Sequence, residues 1–394
     1  MGLHQAPTRG TDPASPVNVV FVGAGAVGCF YASRLHHPKN NIHVSLIARS
    51  NYKALSESGV NLQTHTFGDY VFHPANVFPS VAAAALTPKE SGGAPRQWDY
   101  IIVTTKALPD RSDDSVLIAP LVGPNSCIVL IQNGVGVEEP YRKRFPTTPI
   151  ISAVTVISAE QISPGTVRQN RWTRIHLGPY TDSADSASDS GTGDGTTGAL
   201  SPTGSPSPSA VSSSSQAGTE NELLTQRGTL LANALGDYWT RLGDIKDVEL
   251  SDEIGLQTIR WHKLCINAAF NPCSVLSGGR GNADMVRDPE LRSFLAGIMK
   301  EIWDAVPQIL GKGFPSELAG PERILKSTER NVGSKPSMLL DWEAGRPMEL
   351  EVILGNPVRI ARRRGVELVR MQGVYALLRS MQEVREKRKK EGKL

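Results

Sequence analysis

The sequence lacks the features of membrane-spanning, secreted and metal-clustered proteins. Its 394 residues contain no uninterrupted run of about 18 apolar side chains, the length a transmembrane helix needs. The first 16 residues include no hydrophobic stretch, which argues against a secretory signal. Only four cysteines occur, none in a CxxC pair or with a histidine at zinc spacing. We therefore expect a reducing, intracellular setting with no disulfide and no metal site.

An excess of charge is also lacking outside the C-terminal tail. The net charge is +3, and the segment from Arg385 onward carries +4 from six Lys/Arg and two Glu. A near-neutral body argues against a nucleic-acid groove, and we expect the tail to be a solvated, frayed end. We expect a cytoplasmic location. The terminal Gly-Lys-Leu weakly resembles a peroxisomal address, so peroxisomes, like mitochondria, stay alternatives.

One low-complexity segment interrupts the chain. Residues 181–221 include 12 Ser, 6 Thr, 6 Gly and 3 Pro but no aromatic residue, Lys or Arg. Such a composition buries too little apolar surface to offset the entropy of ordering, so it predicts a disordered insertion, and residues 1–16 are expected to be loose as well. The remaining length suits two domains of roughly 150 residues each.

Apolar β-rich runs alternate with helical stretches in the first half. The runs are 17–22, 42–47, 100–103, 128–131 and 150–156, with later strands at 166–177 and 244–250 and a helix at 222–242 between those two. This alternation predicts an α/β fold with a doubly wound, Rossmann-type sheet over 17–251. Helical periodicity then dominates, which predicts an all-helical domain over 252–384, with a boundary near Ser251 and the basic tail at 385–394.

A glycine-rich turn follows the first strand. Glycines in a GxGxxG pattern between an apolar strand and a helix allow a tight turn, a close approach to a pyrophosphate and close packing of helix on strand. A Gly-rich turn without a ligand is the simpler alternative. The predicted nucleotide-binding residues here are Gly23, Ala24, Gly25, Ala26, Val27 and Gly28.

The end of the second strand predicts which nucleotide binds. NAD enzymes place Asp or Glu there to bond the ribose hydroxyl, whereas this chain has Arg49 followed by Ser50. A guanidinium can pair with a 2′-phosphate, and Lys53 is near enough in sequence to assist. We therefore predict NADPH/NADP+ as cofactor. The alternative is a solvated arginine at a strand end.

Two further strand ends carry polar side chains. Lys106 follows the run 100–103, and Asn133 precedes a glycine after 128–131. Ligands of open α/β sheets lie beyond the carboxyl ends of the strands, so both residues are candidates for the same crevice. A solvated lysine and an Asn-Gly turn are the simpler interpretations.

A polar stripe crosses an apolar helical segment of the second half. Lys263, Asn267 and Asn271 are spaced i, i+4 and i+8, which places them on one helix face. Burial of such groups is costly unless a polar ligand meets them, and a desolvated lysine has a lowered pKa that suits a proton donor. The alternative is a stripe facing water, with Asn271 as a helix cap. His262 lies off the stripe, and we expect it to be structural.

Acidic residues begin a third segment. Glu349 and Glu351 precede an apolar helical run. They either complement a helix dipole, or one of them binds a ligand hydroxyl.

Taken together, these motifs resemble ketopantoate reductases (2-dehydropantoate 2-reductases), and the size of the insertion suggests a fungal-type member. The resemblance covers most of residues 17–380 and rests mainly on the W-x-K-L-x-x-N-x-x-x-N-P block. Supporting motifs are GxGxxG, Arg-Ser, Thr-Lys-Ala, Gln-Asn-Gly, Ser-Met-x-x-Asp and the Glu after Gly-Arg. It implies NADPH-dependent reduction of 2-dehydropantoate to (R)-pantoate, for pantothenate and coenzyme A synthesis, in a cleft between a Rossmann domain and a helical domain.

The resemblance also implies residue roles. Lys263 matches the catalytic lysine that protonates the ketone oxygen. Asn267 and Asn271 match substrate-contacting asparagines, Ser337 the serine that binds the substrate carboxylate, and Glu349 the glutamate that bonds its hydroxyl. Lys106 and Asn133 match residues of the cleft near the nicotinamide, and Asn133 is predicted to touch substrate as well.

Three positions depart from the family pattern. Met348 replaces the usual Thr, Gly355-Asn356 replaces Asn-Gly, and Glu367 follows the Arg-Gly-Val turn where Pro is usual. These departures keep open the reduction of another 2-oxo acid or small carbonyl compound. A non-catalytic NADP(H) sensor that signals through the Ser-rich segment or the basic tail is a third alternative. The expected partner is a small 2-oxo acid, with no nucleic acid and no membrane, and the chain is expected to be a monomer or homodimer.

Overall fold

The computed structural model describes residues 15–86, 96–182 and 211–392. Ten strands belong to one sheet: β1 Val17–Val22, β2 Ile42–Ile47, β3 Val60–Thr64, β4 Gly68–Phe72, β5 Asn76–Phe78, β6 Tyr100–Val103, β7 Cys127–Leu130, β8 Ile150–Ser163, β9 Thr166–Tyr180 and β10 Val248–Leu250. The strands predicted at 17–22, 42–47 and 100–103 are confirmed to the residue. Strands β3, β4 and β5 were not predicted, and β10 is shorter than the predicted 244–250.

Helices of the first half cover the sheet. They are α1 Ala26–Ser33, α2 Tyr52–Ser58, α3 Val81–Leu86, α4 Asp114–Ile118, α5 Glu139–Arg144 and α6 Val211–Asp237, which continues into a π-helical turn, Tyr238–Leu242. Helix α6 begins eleven residues before the predicted start at Glu222, so the expectation of disorder is wrong for the end of the 181–221 segment. Residues 183–210 and 1–14 lie outside the described residues.

The sheet is mixed, and its strand order is β4-β3-β9-β8-β7-β6-β1-β2-β5, with β10 beside β9. Strands β2, β1, β6, β7 and β8 run parallel, whereas β8 and β9 form a long antiparallel pair. The chain leaves β1 toward β2 and returns to β6 on the other side of β1. Such a reversal makes a crevice at the carboxyl ends of β1 and β6, where nucleotides bind in open α/β sheets.

Strand β1 is apolar and buried from Val19 to Val22 because both sides of the sheet are covered there. Val19 and Phe21 belong to the core beneath α1 and α6, while Val20 and Val22 belong to the opposite core beneath α3 and α4. This two-sided burial explains why the strand has no hydrophobic alternation. The doubly wound α/β fold expected from the sequence is confirmed, with antiparallel strands added at one end.

The described second half is helical. Its elements are α7 Glu253–Leu276, α8 Asn282–Arg287, α9 Pro289–Leu310, α10 Pro321–Thr328, α11 Ser337–Glu343, a π-helical turn Glu351–Gly355 that leads into α12 Asn356–Arg363, and α13 Val369–Lys390. Asp252 caps α7 by accepting from the N–H of Gly255, which marks a new helix just after the predicted boundary. Helix α7 is central and packs against α9, α11 and α13.

The basic tail is not a frayed end. Helix α13 continues to Lys390, the guanidinium of Arg385 stacks 4.1 Å from the ring centre of Trp342, and Glu386 pairs with Arg111. Contacts with α11 and with the first half of the chain therefore order this segment, and the charge run alone did not reveal them.

The two halves meet at the loops after β6 and β7. The N–H of Val135 donates to the carbonyl of Val352 at 2.8 Å, and the amide of Asn356 donates to the carbonyl of Val135 at 2.9 Å. Ala107, Val135 and Val137 pack into the core of the helical half. This docking places the carboxyl ends of the sheet strands against α7.

Candidate active site

The glycine turn after β1 has the shape of a phosphate cradle. Gly23 adopts φ +110°, a conformation that suits glycine, and a Cβ there would lie 2.8 Å from the N of Thr105. A Cβ on Gly28 would collide with the Gly23 carbonyl and Thr104. Gly25 differs: it is exposed, and no atom lies within 4 Å of where its Cβ would be. Gly23 and Gly28 thus allow a tightly packed turn, and Gly25 leaves the outer side of this turn open at the start of α1.

The predicted 2′-phosphate residues lie beside this turn. Arg49 and Ser50 follow β2, and both are exposed. Asn51 fixes the segment because its amide donates to the carbonyl of Ala24 at 3.1 Å and pairs with Gln161 at 2.8 Å. The positive charge of Arg49 reaches Asp114, where it opposes the rise that burial causes in that carboxyl's pKa. The open side of the glycine turn and the exposed guanidinium of Arg49 could both contact a phosphorylated nucleotide.

Three side chains from distant parts of the chain meet at the centre of the cleft. The Nζ of Lys263 on α7 donates to the Oδ1 of Asn133 at 2.7 Å, and the side chain of Asn133 also bonds to Glu349. Glu349 is 6% exposed and accepts from the N–H of Ala107 at 3.1 Å. Asn133 therefore links the two ionisable groups.

The electrostatics of this group suit a proton donor. Desolvation by burial lowers the pKa of Lys263 to about 8; the charge of Arg260 adds to this, and the charge of Glu349 opposes it. Burial raises the pKa of Glu349, whereas Lys106 and the Ala107 N–H oppose that rise. A lysine with a pKa near neutrality can give up its proton and regain it from solvent.

Lys106 lies at the rim of the cleft. It forms an ion pair with Asp341 of α11, and Arg346 pairs with the same carboxylate at 3.0 Å. Ser337 is exposed on the first turn of α11, four residues before Asp341, so it shares that helix face. The structure therefore brings Lys106 and Glu349 together. Ser337 lies on the same helix as Asp341, the ion-pair partner of Lys106, and its side chain makes no hydrogen bond to Lys106 or Glu349.

The polar stripe of α7 faces the first half of the chain rather than water. Lys263 and Asn267 line a cleft with Gln132, Asn133 and Gly134, while Asn271 is 4% exposed and its Nδ2 has no hydrogen-bond partner among the described residues. Helix α7 runs on to Leu276, so the alternative role of Asn271 as a helix cap is wrong. His262 bonds to the Ala319 carbonyl between two aromatic rings, as expected of a structural histidine.

The structure also distinguishes the two glutamates. Glu351 pairs with Arg359 and bonds to the hydroxyl of Tyr375, away from Lys263. Glu349 alone of the two joins Asn133. Glu349 lies before the π-helical turn, and its carboxylate bonds to Asn133 and to the N–H of Ala107 rather than to the turn.

Sequence reasoning missed Arg260 and Glu138. Their side chains are 2% and 1% exposed and lie 3.0 Å apart beside the loop that carries Asn133. Glu138 showed no pattern in the sequence. Arg260 lies three residues before Lys263, and a second charged residue one turn from the stripe was the available signal.

Comparison with known proteins identifies the family. The family model described as ketopantoate reductase PanE/ApbA matches residues 19–182, and the model of its C-terminal domain matches residues 255–382. The chain belongs to the ketopantoate reductase family. Together the two matches include the glycine turn, Lys106, Asn133, the α7 stripe and Glu349.

Individual ketopantoate reductases are similar over nearly the whole chain. The 2-dehydropantoate 2-reductase of Nostoc is 24% identical, covering 91% of this chain and 93% of its own. The crystal structure of the 2-dehydropantoate 2-reductase from Methylococcus capsulatus superimposes with a TM-score of 0.70 at 30% identity, covering 94% of this chain and 98% of that one. A ternary structure of D-mandelate dehydrogenase with NADH and anilino(oxo)acetate, 18% identical, shares the fold with a TM-score of 0.65 over 94% of this chain and 99% of that one.

No helix in the described ranges is long and apolar enough to cross a membrane. Within the same ranges, no three His, Cys, Asp or Glu side chains are grouped so that they could hold a metal ion. The ketopantoate reductase family, to which the chain belongs, consists of oxidoreductases that act on a CH–OH group.

Proposed function

We propose that the protein reduces 2-dehydropantoate to (R)-pantoate with NADPH. The observation that carries the proposal is the chain of contacts Lys263–Asn133–Glu349, at the same carboxyl edge of the parallel strands as the glycine turn. Lys263 can donate to a ketone oxygen, Glu349 can accept from a hydroxyl, and the amide of Asn133 bonds to both side chains. The group therefore suits a substrate that carries both a ketone and a hydroxyl. Family membership supports the same reaction.

The cofactor fits the residues present. The turn 23–28 would hold the pyrophosphate against the first N–H groups of α1, and Arg49 with Ser50 would hold the 2′-phosphate. When bound, NADPH supplies the hydride. Lys106 and Asn133, at the ends of neighbouring strands, would border the nicotinamide.

The protein's own contribution is to bind and protonate the substrate. Lys263 donates its Nζ proton to the carbonyl oxygen as the carbon gains the hydride, so that an alcohol forms and a neutral amine remains. The amine regains a proton from solvent. Asn267 and the unpartnered Nδ2 of Asn271 offer polar contacts to substrate on the same helix face. Ser337 would bind the carboxylate, and Glu349 would accept from the hydroxyl.

A second candidate substrate is a 2-oxo acid without that hydroxyl. Met348, which replaces a Thr that is common in the family, directly precedes Glu349 and is 1% exposed in the core of the helical half, so this position offers no hydroxyl beside the residue assigned to the substrate hydroxyl. This arrangement favours a less polar substrate more than the family pattern does. A non-catalytic NADP(H) sensor, by contrast, has no use for a desolvated lysine.

The test is consumption of NADPH by the purified full-length protein. We expect rapid turnover with 2-dehydropantoate, slower turnover with the same acid lacking the hydroxyl, and weak turnover with NADH. Faster turnover with the unhydroxylated acid would favour the second substrate. NADPH binding without turnover of any 2-oxo acid would contradict the enzymatic proposal.

A further inference from the structure

The buried side chain of Arg260 hydrogen-bonds to the loop that carries Asn133. One terminal nitrogen of Arg260, Nη1, donates to the carbonyl of Gln132 at 3.0 Å and to that of Gly134 at 2.9 Å. The other, Nη2, donates to the hydroxyl of Ser152 at 2.6 Å and to the carbonyl of Ala153 at 3.1 Å. The guanidinium therefore holds the peptide on both sides of Asn133 against strand β8.

Glu138 neutralises this arginine. Its Oε1 lies 3.0 Å from the Nε of Arg260 and accepts from Ser152 at 2.6 Å and from Gln257 at 3.1 Å. Both side chains of the pair are almost fully inaccessible. A buried charge pair is a poor source of net stability, because desolvation offsets much of the attraction. The Arg260–Glu138 pair is better explained by the position that it gives to the loop carrying Asn133.

Arg260 is also one helical turn from Lys263, which bonds to Asn133. One residue thus acts on both partners of the Lys263–Asn133 hydrogen bond: on the lysine through helix α7 and on the amide through its two neighbouring carbonyls. We propose that Arg260, neutralised by Glu138, is a positioning residue that aligns Asn133 with Lys263 for proton donation. This inference rests on the proposed function and assigns Arg260 no contact with substrate.

The charges around Lys263 supply a readout of this coupling. Arg260 lies on the same helix, Glu349 faces the lysine from the segment before α12, Glu138 lies behind Arg260, and Lys106 with Asp341 lies beyond Glu349. Arg260 lowers the pKa of Lys263, second only to desolvation. Removal of the Arg260 charge should raise that pKa, and removal of the Glu138 charge should lower it.

The experiment combines four variants of the full chain. Arg260→Lys keeps the charge but loses the paired guanidinium hydrogen bonds, and Arg260→Met loses both. Glu138→Gln keeps the shape of the side chain but loses the counter-charge. Arg142→Lys is the matched control. Arg142 is another buried arginine, and it holds the carbonyls of Phe145, Pro146, Thr148 and Tyr180 rather than those beside Asn133. Thermal unfolding of each variant measures the purely structural cost.

Two quantities are measured. The titration of Lys263 is followed by NMR of labelled lysine Cε, with the signal assigned from Lys263→Met, and this needs no substrate. We expect Arg260→Met to move the midpoint up by on the order of one pH unit, and Glu138→Gln, whose carboxylate lies behind Arg260, to move it down by a smaller amount. The second quantity is kcat, which we expect to fall about tenfold to hundredfold in Arg260→Lys and about twofold or less in Arg142→Lys.

The inference fails if the midpoint stays in place in both charge variants and Arg260→Lys keeps the kcat of Arg142→Lys. If Arg260→Met does not fold, the titration midpoint of Glu138→Gln decides the outcome. This variant should fold, because its amide oxygen preserves the contacts to Ser152 and Gln257. If the unsubstituted protein shows no turnover, only the proposed function is contradicted. The titration still reports whether Arg260 and Lys263 are coupled.

Discussion

The Nζ of Lys263 lies 2.7 Å from the Oδ1 of Asn133, although the two residues are 130 positions apart in the sequence. Lys263 comes from the central helix of the second half, and Asn133 comes from the loop after a parallel strand of the first. Their hydrogen bond crosses the cleft between the two halves. Under the proposed function, proton donation by Lys263 therefore depends on how the two halves dock.

The rate of carbonyl reduction should depend on the protonation of Lys263. Because only the protonated amine can donate, kcat should be level below pH 8 and fall about tenfold per unit above the lysine pKa of about 8. The oxidation of the alcohol needs the neutral amine and should show the opposite slope. Steady-state pH profiles in both directions check this. A reduction rate that rises through pH 8 would contradict the donor role.

Two glycine substitutions should separate binding from folding. Gly25→Ala should leave the unfolding temperature unchanged, because its Cβ meets no atom within 4 Å, yet it should weaken NADPH binding by intruding on the pyrophosphate. Gly28→Ala should destabilise the fold, typically by about 1–3 kcal/mol, because its Cβ collides with Gly23 and Thr104. Calorimetry and fluorescence titration measure the two effects. Equal effects of both substitutions on binding and folding would refute the cradle.

Arg49 should set the preference for NADPH. Arg49→Ala should weaken NADPH binding about tenfold to hundredfold, the value of a charge-assisted contact, and leave NADH binding almost unchanged. Arg49→Lys, which keeps the charge but not the fork, should fall between. Dissociation constants for both nucleotides provide the measurement. Parallel losses for NADPH and NADH would remove Arg49 from the 2′-phosphate site.

Glu349→Gln should test the hydroxyl contact. The amide keeps an oxygen for the Ala107 N–H but loses the charge, so KM for 2-dehydropantoate should rise on the order of tenfold. KM for the same acid without the hydroxyl should change little. Assays near pH 6 avoid the change that Glu349 imposes on the pKa of Lys263. If both substrates lose affinity equally, Glu349 does not recognise the hydroxyl.

Local patterns in the sequence predicted much of this site. The glycine turn lies within one strand–helix unit, and the stripe Lys263, Asn267 and Asn271 lies within one helix, so spacing alone indicated both. Strand ends indicated Lys106 and Asn133, because carboxyl ends of parallel strands share one edge.

Long-range contacts were not predictable in the same way. Arg260 finds Glu138 and two backbone carbonyls more than 120 residues away, and no spacing records such a meeting. The helical tail is a similar case, since Arg385 and Glu386 are ordered by Trp342 and Arg111. Composition likewise predicted disorder near 211–221, where the structure has the start of α6.

The most direct test of the central claim is a single turnover of bound NADPH after mixing with 2-dehydropantoate, followed by absorbance. Lys263→Met should bind NADPH as tightly as the unsubstituted protein but oxidise it about 10²–10⁴ times more slowly. Lys300→Met, which removes an exposed lysine paired with Asp304, is the control and should match the unsubstituted protein. Oxidation by Lys263→Met at the unsubstituted rate would show that Lys263 is not the proton donor.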